Sequence, residues 1–272
     1  MTQLVRHLMR PTLITCSPDT TLGEAAARLI QNRVHALIVA DNSNQPLGIL
    51  SDIDLLAGEW LSADATSLKV MRAMTASQLM STPPTTIDAD APASEAAARI
   101  QAERIHRLIV TEGARAIGVI SVSDLVASMS QLATERRVVG DVMSRAIVVC
   151  LEDTPLAAVA RAMTERVSRS VIVVSAIGSP LGIITGLDLL TLYEAGIGKQ
   201  TVGQIMRTPL TIHPAASLRE AADLMLKHHV HRLVVTNPNQ PTGVPLGQIS
   251  TTDIVAEMAE PGSVWQTTGQ TE

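Results

Sequence analysis

Apolar residues along this chain alternate between two spacings. Over Leu22 to Asn32, Ala93 to Glu103, Leu156 to Glu165 and Leu218 to Lys227 they fall at i, i+3, i+4 and i+7, the pattern of one buried helix face. After each such stretch comes a short, nearly continuous apolar run, "HALIVAD", "HRLIVTE", "SRSVIVVS" and "HRLVVTN", which reads as a buried strand. A turn bearing Gly, Pro or Asn leads into a further strand, and that strand runs into a second helix. Ahead of each first helix stand a short β-branched stretch and a Pro/Asp/Ser-rich turn that can cap it. The predicted unit is strand, helix, strand, strand, helix, which makes an α+β protein. Each unit is too small to bury both faces of its sheet, so units should pair through their sheets.

The junction of third strand and second helix is a motif that occurs four times: "GILSDIDLL" from Gly48, "GVISVSDLV" from Gly118, "GIITGLDLL" from Gly182 and "GQISTTDIV" from Gly247. The glycines are 70, 64 and 65 residues apart, longer than solenoid repeats, so each copy belongs to a small subdomain. A methionine near a turn opens each copy, at Met9, Met80, Met143 and Met206. Within the motif a Ser or Thr is followed three residues later by Asp: Ser51 and Asp54, Ser121 and Asp124, Thr185 and Asp188, Ser250 and Asp253. This spacing is that of a capping box, in which two side chains satisfy the free N–H groups of a helix start. Capping boxes generally use Glu or Gln at the second position, whereas all four copies use the shorter Asp. A carboxylate beside a hydroxyl at a helix N-terminus can also hold a sugar diol next to a phosphate.

Composition narrows the function classes. The chain has 272 residues, 46% hydrophobic, with net charge −5, no Phe, one Tyr and two Trp. It lacks the basic footprint and the aromatic platforms of nucleic-acid binding. No apolar run approaches the length of a membrane span, and the N-terminus lacks the apolar core of a secretory signal, so a cytoplasmic location is expected. Cys16 and Cys150 have no metal-ligand spacing and read as core residues.

The order of Met-x-Pro, strand, helix, His-Arg-Leu-apolar-Val, turn and Gly-apolar-apolar-Ser/Thr-x-x-Asp resembles the CBS domain, named for cystathionine β-synthase, over about residues 5 to 258. The resemblance implies four units, about 5–60, 74–130, 136–195 and 200–258, paired as two Bateman modules, 1–132 and 133–260. A polar tail occupies 261–272. In that family two modules can stack as a flat disc, and four units in one chain resemble the nucleotide-sensing γ subunit of AMP-activated protein kinase. The clefts of the family hold adenosine ligands such as AMP, ADP, ATP or S-adenosylmethionine. The expected role is regulatory and non-catalytic, read out by a protein partner such as an enzyme or transporter, from a monomeric disc or a homodimer. By the same resemblance, the motif Asp residues contact ribose, the motif Ser/Thr residues lie near the phosphates, and Thr15, Thr86 and Thr211 sit where the backbone meets adenine. Val149 takes that place in the third unit.

Basic residues rank the copies, since a phosphorylated ligand needs compensating charge. Unit two has Arg104, His106 and Arg107; unit four has His229, His231 and Arg232, preceded by His228. Unit one has Arg33 and His35, and unit three Arg166 and Arg169. Units two and four are the stronger sites. The same cations could instead only complement helix dipoles, and the whole repeat array could be a ligand-free dimerisation scaffold. "HHVHR" places His229 and His231 on one side of an extended segment but lacks further metal ligands nearby. "EAGIGKQT" around Gly198 and Lys199 lacks the spaced first glycine and following hydroxyl of a phosphate loop, and no nucleophile motif is present.

Overall fold

A computed structural model describes residues 3–60, 65–113, 115–129, 137–166, 168–192, 200–237, 239 and 243–259. Four repeats of one plan follow each other. Repeat 1 comprises α1 (Val5–Leu8), β1 (Thr15–Cys16), α2 (Leu22–Asn32), β2 (Ala36–Ala40), β3 (Pro46–Ser51) and α3 (Asp52–Trp60), with α4 (Ala65–Ala73) after it. Repeat 2 comprises α5 (Ala76–Leu79), β4 (Thr86–Asp88), α6 (Ala93–Ala102), β5 (Arg107–Glu112), β6 (Arg115–Ser121) and α7 (Val122–Met129). Repeat 3 comprises α8 (Val139–Val142), β7 (Val149–Leu151), α9 (Leu156–Glu165), β8 (Ser170–Val174), β9 (Pro180–Thr185) and α10 (Gly186–Leu190). Repeat 4 opens with a 3-10 turn at Val202–Gln204, followed by β10 (Thr211–Ile212), α11 (Leu218–His228), β11 (Arg232–Val235), β12 (Gly247–Ser250) and α12 (Thr251–Ala259).

Each repeat carries its own three-stranded sheet, a parallel first pair and an antiparallel second pair. The parallel pair is joined by the long amphipathic helix, whose buried stripe is the one read from spacing: Leu22, Ala25, Ala26 and Leu29 in α2, and Leu218, Ala221, Ala222 and Met225 in α11. Caps set the starts of these helices. Thr21 accepts from the Glu24 N–H in a full capping box, and Ser217 accepts from the Glu220 N–H. The central strands β2 and β8 are buried along their whole length, which is why they read as unbroken apolar runs. Between repeats 1 and 2 the chain forms α4, which packs on α2.

Two compact units result, one of residues 1–13, 85–147 and 210–272, the other of 14–84 and 148–209. These units are not the consecutive halves 1–132 and 133–260; the first unites repeats 2 and 4, the second repeats 1 and 3. The physical reason lies in the helices. In the first unit α12 packs on α6 and α7, and α11 on α7, enclosing one continuous core with Ile100, Leu125, Val126, Ile254 and Met258. In the second, α3 packs on α9 and α10, bringing Leu56 into the cluster around Val159, Met163 and Leu189. Gly186 permits that approach, since a Cβ there would lie 3.3 Å from Leu56 Cδ1 and 3.5 Å from Asp52 Oδ2.

The segment opening each repeat, its leader, docks on a different repeat. The repeat 1 leader bonds to repeat 2, with Val5 and Arg6 N–H donating to Ala91 and Ala89 carbonyls and Arg10 bridging Val119. In return, the repeat 2 leader bridges Ser81 to Ile49 in repeat 1. The same exchange joins Ser144 to Gln248 and Arg207 to Ile183. This docking explains why a methionine and the motif glycine recur together. A Cβ on Gly48, Gly118, Gly182 or Gly247 would come within 2.6, 2.9, 2.5 and 3.2 Å of the Sδ of Met80, Met9, Met206 and Met143 respectively. The glycine is the floor on which the leader's methionine lies.

Candidate functional site

The motif builds one geometry four times. The backbone N–H of Ser51, Ser121, Thr185 and Ser250 donates to Oδ2 of the Asp three residues on, at 2.8, 2.9, 2.9 and 2.7 Å. The hydroxyl donates to the same oxygen at 2.6, 2.5, 2.6 and 2.7 Å. Asp replaces Glu because the carboxylate must bond the hydroxyl as well as the backbone, and the shorter side chain brings it there. The cap therefore occupies Oδ2 alone and leaves Oδ1 for another donor. The hydroxyl proton is committed to the carboxylate, so contact with a phosphate as donor would require it to turn.

Oδ1 divides the copies. In repeat 2, Arg10 Nε donates to Asp124 Oδ1 at 2.8 Å, and in repeat 3 Arg207 Nη2 pairs with Asp188 Oδ1. Both arginines come from exchanged leaders. At the same backbone position the other two leaders carry Ser81 and Ser144, and among the described residues no cation is bonded to Asp54 or Asp253.

The cations divide the copies again. Register puts Arg107 directly across the strand pair from Ser121, and Arg232 across from Ser250. Side chains so placed are neighbours. Repeats 1 and 3 have Ala36 and Ser170 there, opposite Ser51 and Thr185. In the unit of repeats 2 and 4, His106 Nδ1 lies 3.3 Å from Thr252 Oγ1, and His231 Nδ1 lies 3.2 Å from Ser123 Oγ. Each imidazole thus faces the motif of the other repeat. Carbonyls of His106 and His231 also accept the first N–H of α7 and α12, from Val122 and Thr251. Two helix N-termini, two imidazoles and two hydroxyls meet there, with Arg107 and Arg232 on the adjoining strands across from the motif serines, an arrangement that favours an anion.

The other unit answers differently. Asp52, 2% exposed, is bonded to His35 Nδ1 at 2.8 Å and lies 3.8 Å from Arg169. Burial works to raise its pKa, but the hydrogen bond and charge of His35, with the charge of Arg169, outweigh burial and hold the carboxyl below its ordinary value. Burial lowers the Arg169 pKa against the opposing pull of Asp52 and Asp54. His35 of repeat 1 and Arg169 of repeat 3 are spent on this internal carboxylate.

Arg104 and His229 do not join the motifs. Both hold left-handed backbone (φ 53°) at the ends of α6 and α11, exposed, with no side-chain bond among the described residues. That left-handed turn also corrects the expected extended pairing of His229 with His231. No group of three or more His, Cys, Asp or Glu among the described residues could hold a metal ion. Thr15, Thr86 and Thr211 begin the first strands as expected, and the carbonyls of Thr15 and Thr86 accept from Arg28 and Arg99. Burial raises both cysteine thiols, in keeping with a core role. Among the described residues no helix is long and apolar enough to cross a membrane. Gly198, Lys199 and the tail 261–272 lie outside the described residues.

Sequence reasoning missed Arg10, Arg207, Asp52, Ser123 and Thr252. For the last two a signal existed: the residue before the motif Asp is polar in repeats 2 and 4 and apolar, Ile53 and Leu187, in repeats 1 and 3.

Comparison with known proteins agrees with this repeat plan. The CBS domain model matches residues 5–58, 76–131, 139–195 and 202–260. A CBS domain-containing protein of Dictyostelium discoideum is 33% identical over 135 residues, covering 46% of this chain and 90% of that one. Among solved structures, protein MJ1225 of Methanocaldococcus jannaschii, described as a candidate archaeal homologue of γ-AMPK, has a TM-score of 0.83 at 19% identity. It covers 93% of this chain and 99% of its own. A conserved protein of Pyrococcus horikoshii has a TM-score of 0.66 at 19% identity, covering 94% of this chain and all of its own. With family matches along four successive repeats, each folded on the same plan, the chain belongs to the CBS-domain family.

Proposed function

We propose that this chain is a regulatory, non-catalytic protein that binds adenine nucleotides, with the unit of repeats 2 and 4 as its binding half. The observation that carries the reading is that His106 and His231 each reach the motif helix of the other repeat, with Arg107 and Arg232 standing across the strand pairs from Ser121 and Ser250. Clustered cations select a phosphorylated ligand, so AMP, ADP or ATP fits better than S-adenosylmethionine, whose sulfonium adds positive charge. Asp124 and Asp253 are the ribose acceptors, and Thr86 and Thr211 lie toward adenine. Consecutive repeats act as modules, 1–132 and 133–260, a pairing supported by the exchange of leaders. Ligand that prefers one module geometry shifts the population toward it, and a partner protein reads the shift.

Asp52 favours a second reading for the other unit. With His35 and Arg169 already neutralised, repeats 1 and 3 form a structural half that binds no phosphate.

A thermal-shift panel with AMP, ADP, ATP and S-adenosylmethionine, with and without Mg²⁺, tests the proposal. A nucleotide at 100 times its dissociation constant should stabilise by about 2.7 kcal/mol. Arg107→Ala combined with Arg232→Ala should abolish the shift. Absence of a shift with every nucleotide overturns the reading.

A further inference from the structure

The four motif carboxylates share one geometry at Oδ2 and differ at Oδ1. A vicinal diol approaching the motif must donate to Oδ1, because Oδ2 already accepts two bonds from within the cap. In repeats 2 and 3 that acceptor is engaged by an arginine from an exchanged leader, whereas Ser81 and Ser144 stand at the matching place in the other two. The match is one of backbone: Arg10, Ser81, Ser144 and Arg207 each bridge the residue after the motif glycine, namely Val119, Ile49, Gln248 and Ile183. Arg10 is 72% exposed while Asp124 is 8% exposed, and Arg207 and Asp188 repeat the contrast at 68% and 5%. The carboxylate is fixed and sheltered; the arginine reaches it from solvent and can leave without disturbing the core.

We propose that Arg10 and Arg207 are built-in competitors for the ligand's sugar diol, which grade the four sites. This inference rests on the nucleotide-binding reading above. Repeat 4 combines cations with an Oδ1 that no cation engages among the described residues, and fills first. Repeat 2 has cations of the same kind and fills only as Arg10 is displaced. Repeat 3 is closed twice over, by Arg207 and by the lack of a cross-strand arginine. A leader thus sets the affinity of a site in a repeat other than its own.

Calorimetric titration of the full chain with AMP tests this. The wild-type protein should give a tighter event that is lost in Asp253→Ala and a weaker one that survives it. In the Asp253→Ala background, Arg10→Ser should tighten the surviving event by about two- to five-fold, the range for an ion pair with one solvent-exposed partner. The reciprocal change Ser144→Arg, made alone, should weaken the tighter event to a similar degree. Far-UV circular dichroism and the melting temperature of the free variants check that they remain folded. If Arg10→Ser weakens the surviving event or leaves it unchanged, the arginine is a ligand contact or a bystander and the proposal falls. If no protein titrates with AMP, ADP or ATP, the nucleotide reading falls and carries this one with it.

Discussion

At the scale of single residues, Asp52 and Asp54 show how little a local pattern says about burial. They stand two positions apart in "SDIDLL", and sequence reading singled out only Asp54. Asp54 caps its helix through bonds to a residue three positions away, which spacing can predict. Asp52 is buried against His35, 17 positions back, and Arg169 in repeat 3. Its folded pKa lies below its unfolded value, so the stabilisation it supplies is fully present above that unfolded value, near 3.8, and is lost as pH falls through the folded one. Asp52→Ala should cost about 2–3 kcal/mol at pH 7, less than for a fully enclosed pair because His35 and Arg169 keep some solvent contact. Urea unfolding at pH 7 and pH 3 measures it, and the gap to wild type should narrow at the lower pH. A gap of equal size at both would assign the loss to packing rather than charge.

At the scale of elements, the long helices were legible almost to the residue. Their stripes of Ala and Leu, with Thr21 or Ser217 ahead of them, specify both face and start by local physics. The succession of strand, helix, strand, strand and helix along each repeat followed from the same local signals. The leaders were visible only as methionines near turns, because nothing in their pattern names the strand they lie on. Steric contact with the motif glycines makes that docking testable. In Gly118→Ala the new Cβ would meet the Arg10 carbonyl at 2.6 Å as well as Met9 Sδ at 2.9 Å, so the leader must move. In Gly182→Ala all three nearest atoms belong to the Met206 side chain. Each should cost about 1–3 kcal/mol, the scale of overpacking. Met206→Ala should recover part of the loss at Gly182, and Met9→Ala should recover little at Gly118. Double-mutant cycles by chemical denaturation give both numbers, and equal recovery would contradict the assigned contacts.

At the scale of the whole molecule, repeat order alone suggests modules of residues 1–132 and 133–260, and each compact unit draws residues from both. Periodicity reports which face of a helix is apolar, but four nearly equal repeats leave open which copy covers it. Here α12 covers α6 and α7. A fragment of residues 1–132 therefore lacks the partner for Ala96, Ile100, Leu125 and Val126, all at most 1% exposed in the intact chain. It should self-associate, with one fragment's α6 and α7 against another's, and size-exclusion chromatography should find a dimer or larger species. Mixing it with residues 133–272 should give a stable heterodimer. A well-folded monomeric 1–132 would refute this account of the core.

Leader exchange also has a consequence for synthesis. The strand that receives residues 4–10 is completed about a hundred residues after they leave the ribosome, and residues 138–144 wait about as long for theirs. The leaders of repeats 2 and 4, by contrast, find strands already made. Folding on the ribosome therefore cannot proceed repeat by repeat in simple succession. Val5 and Met9 must stay unburied in the nascent chain until the second repeat emerges, a period in which a chaperone has something to hold.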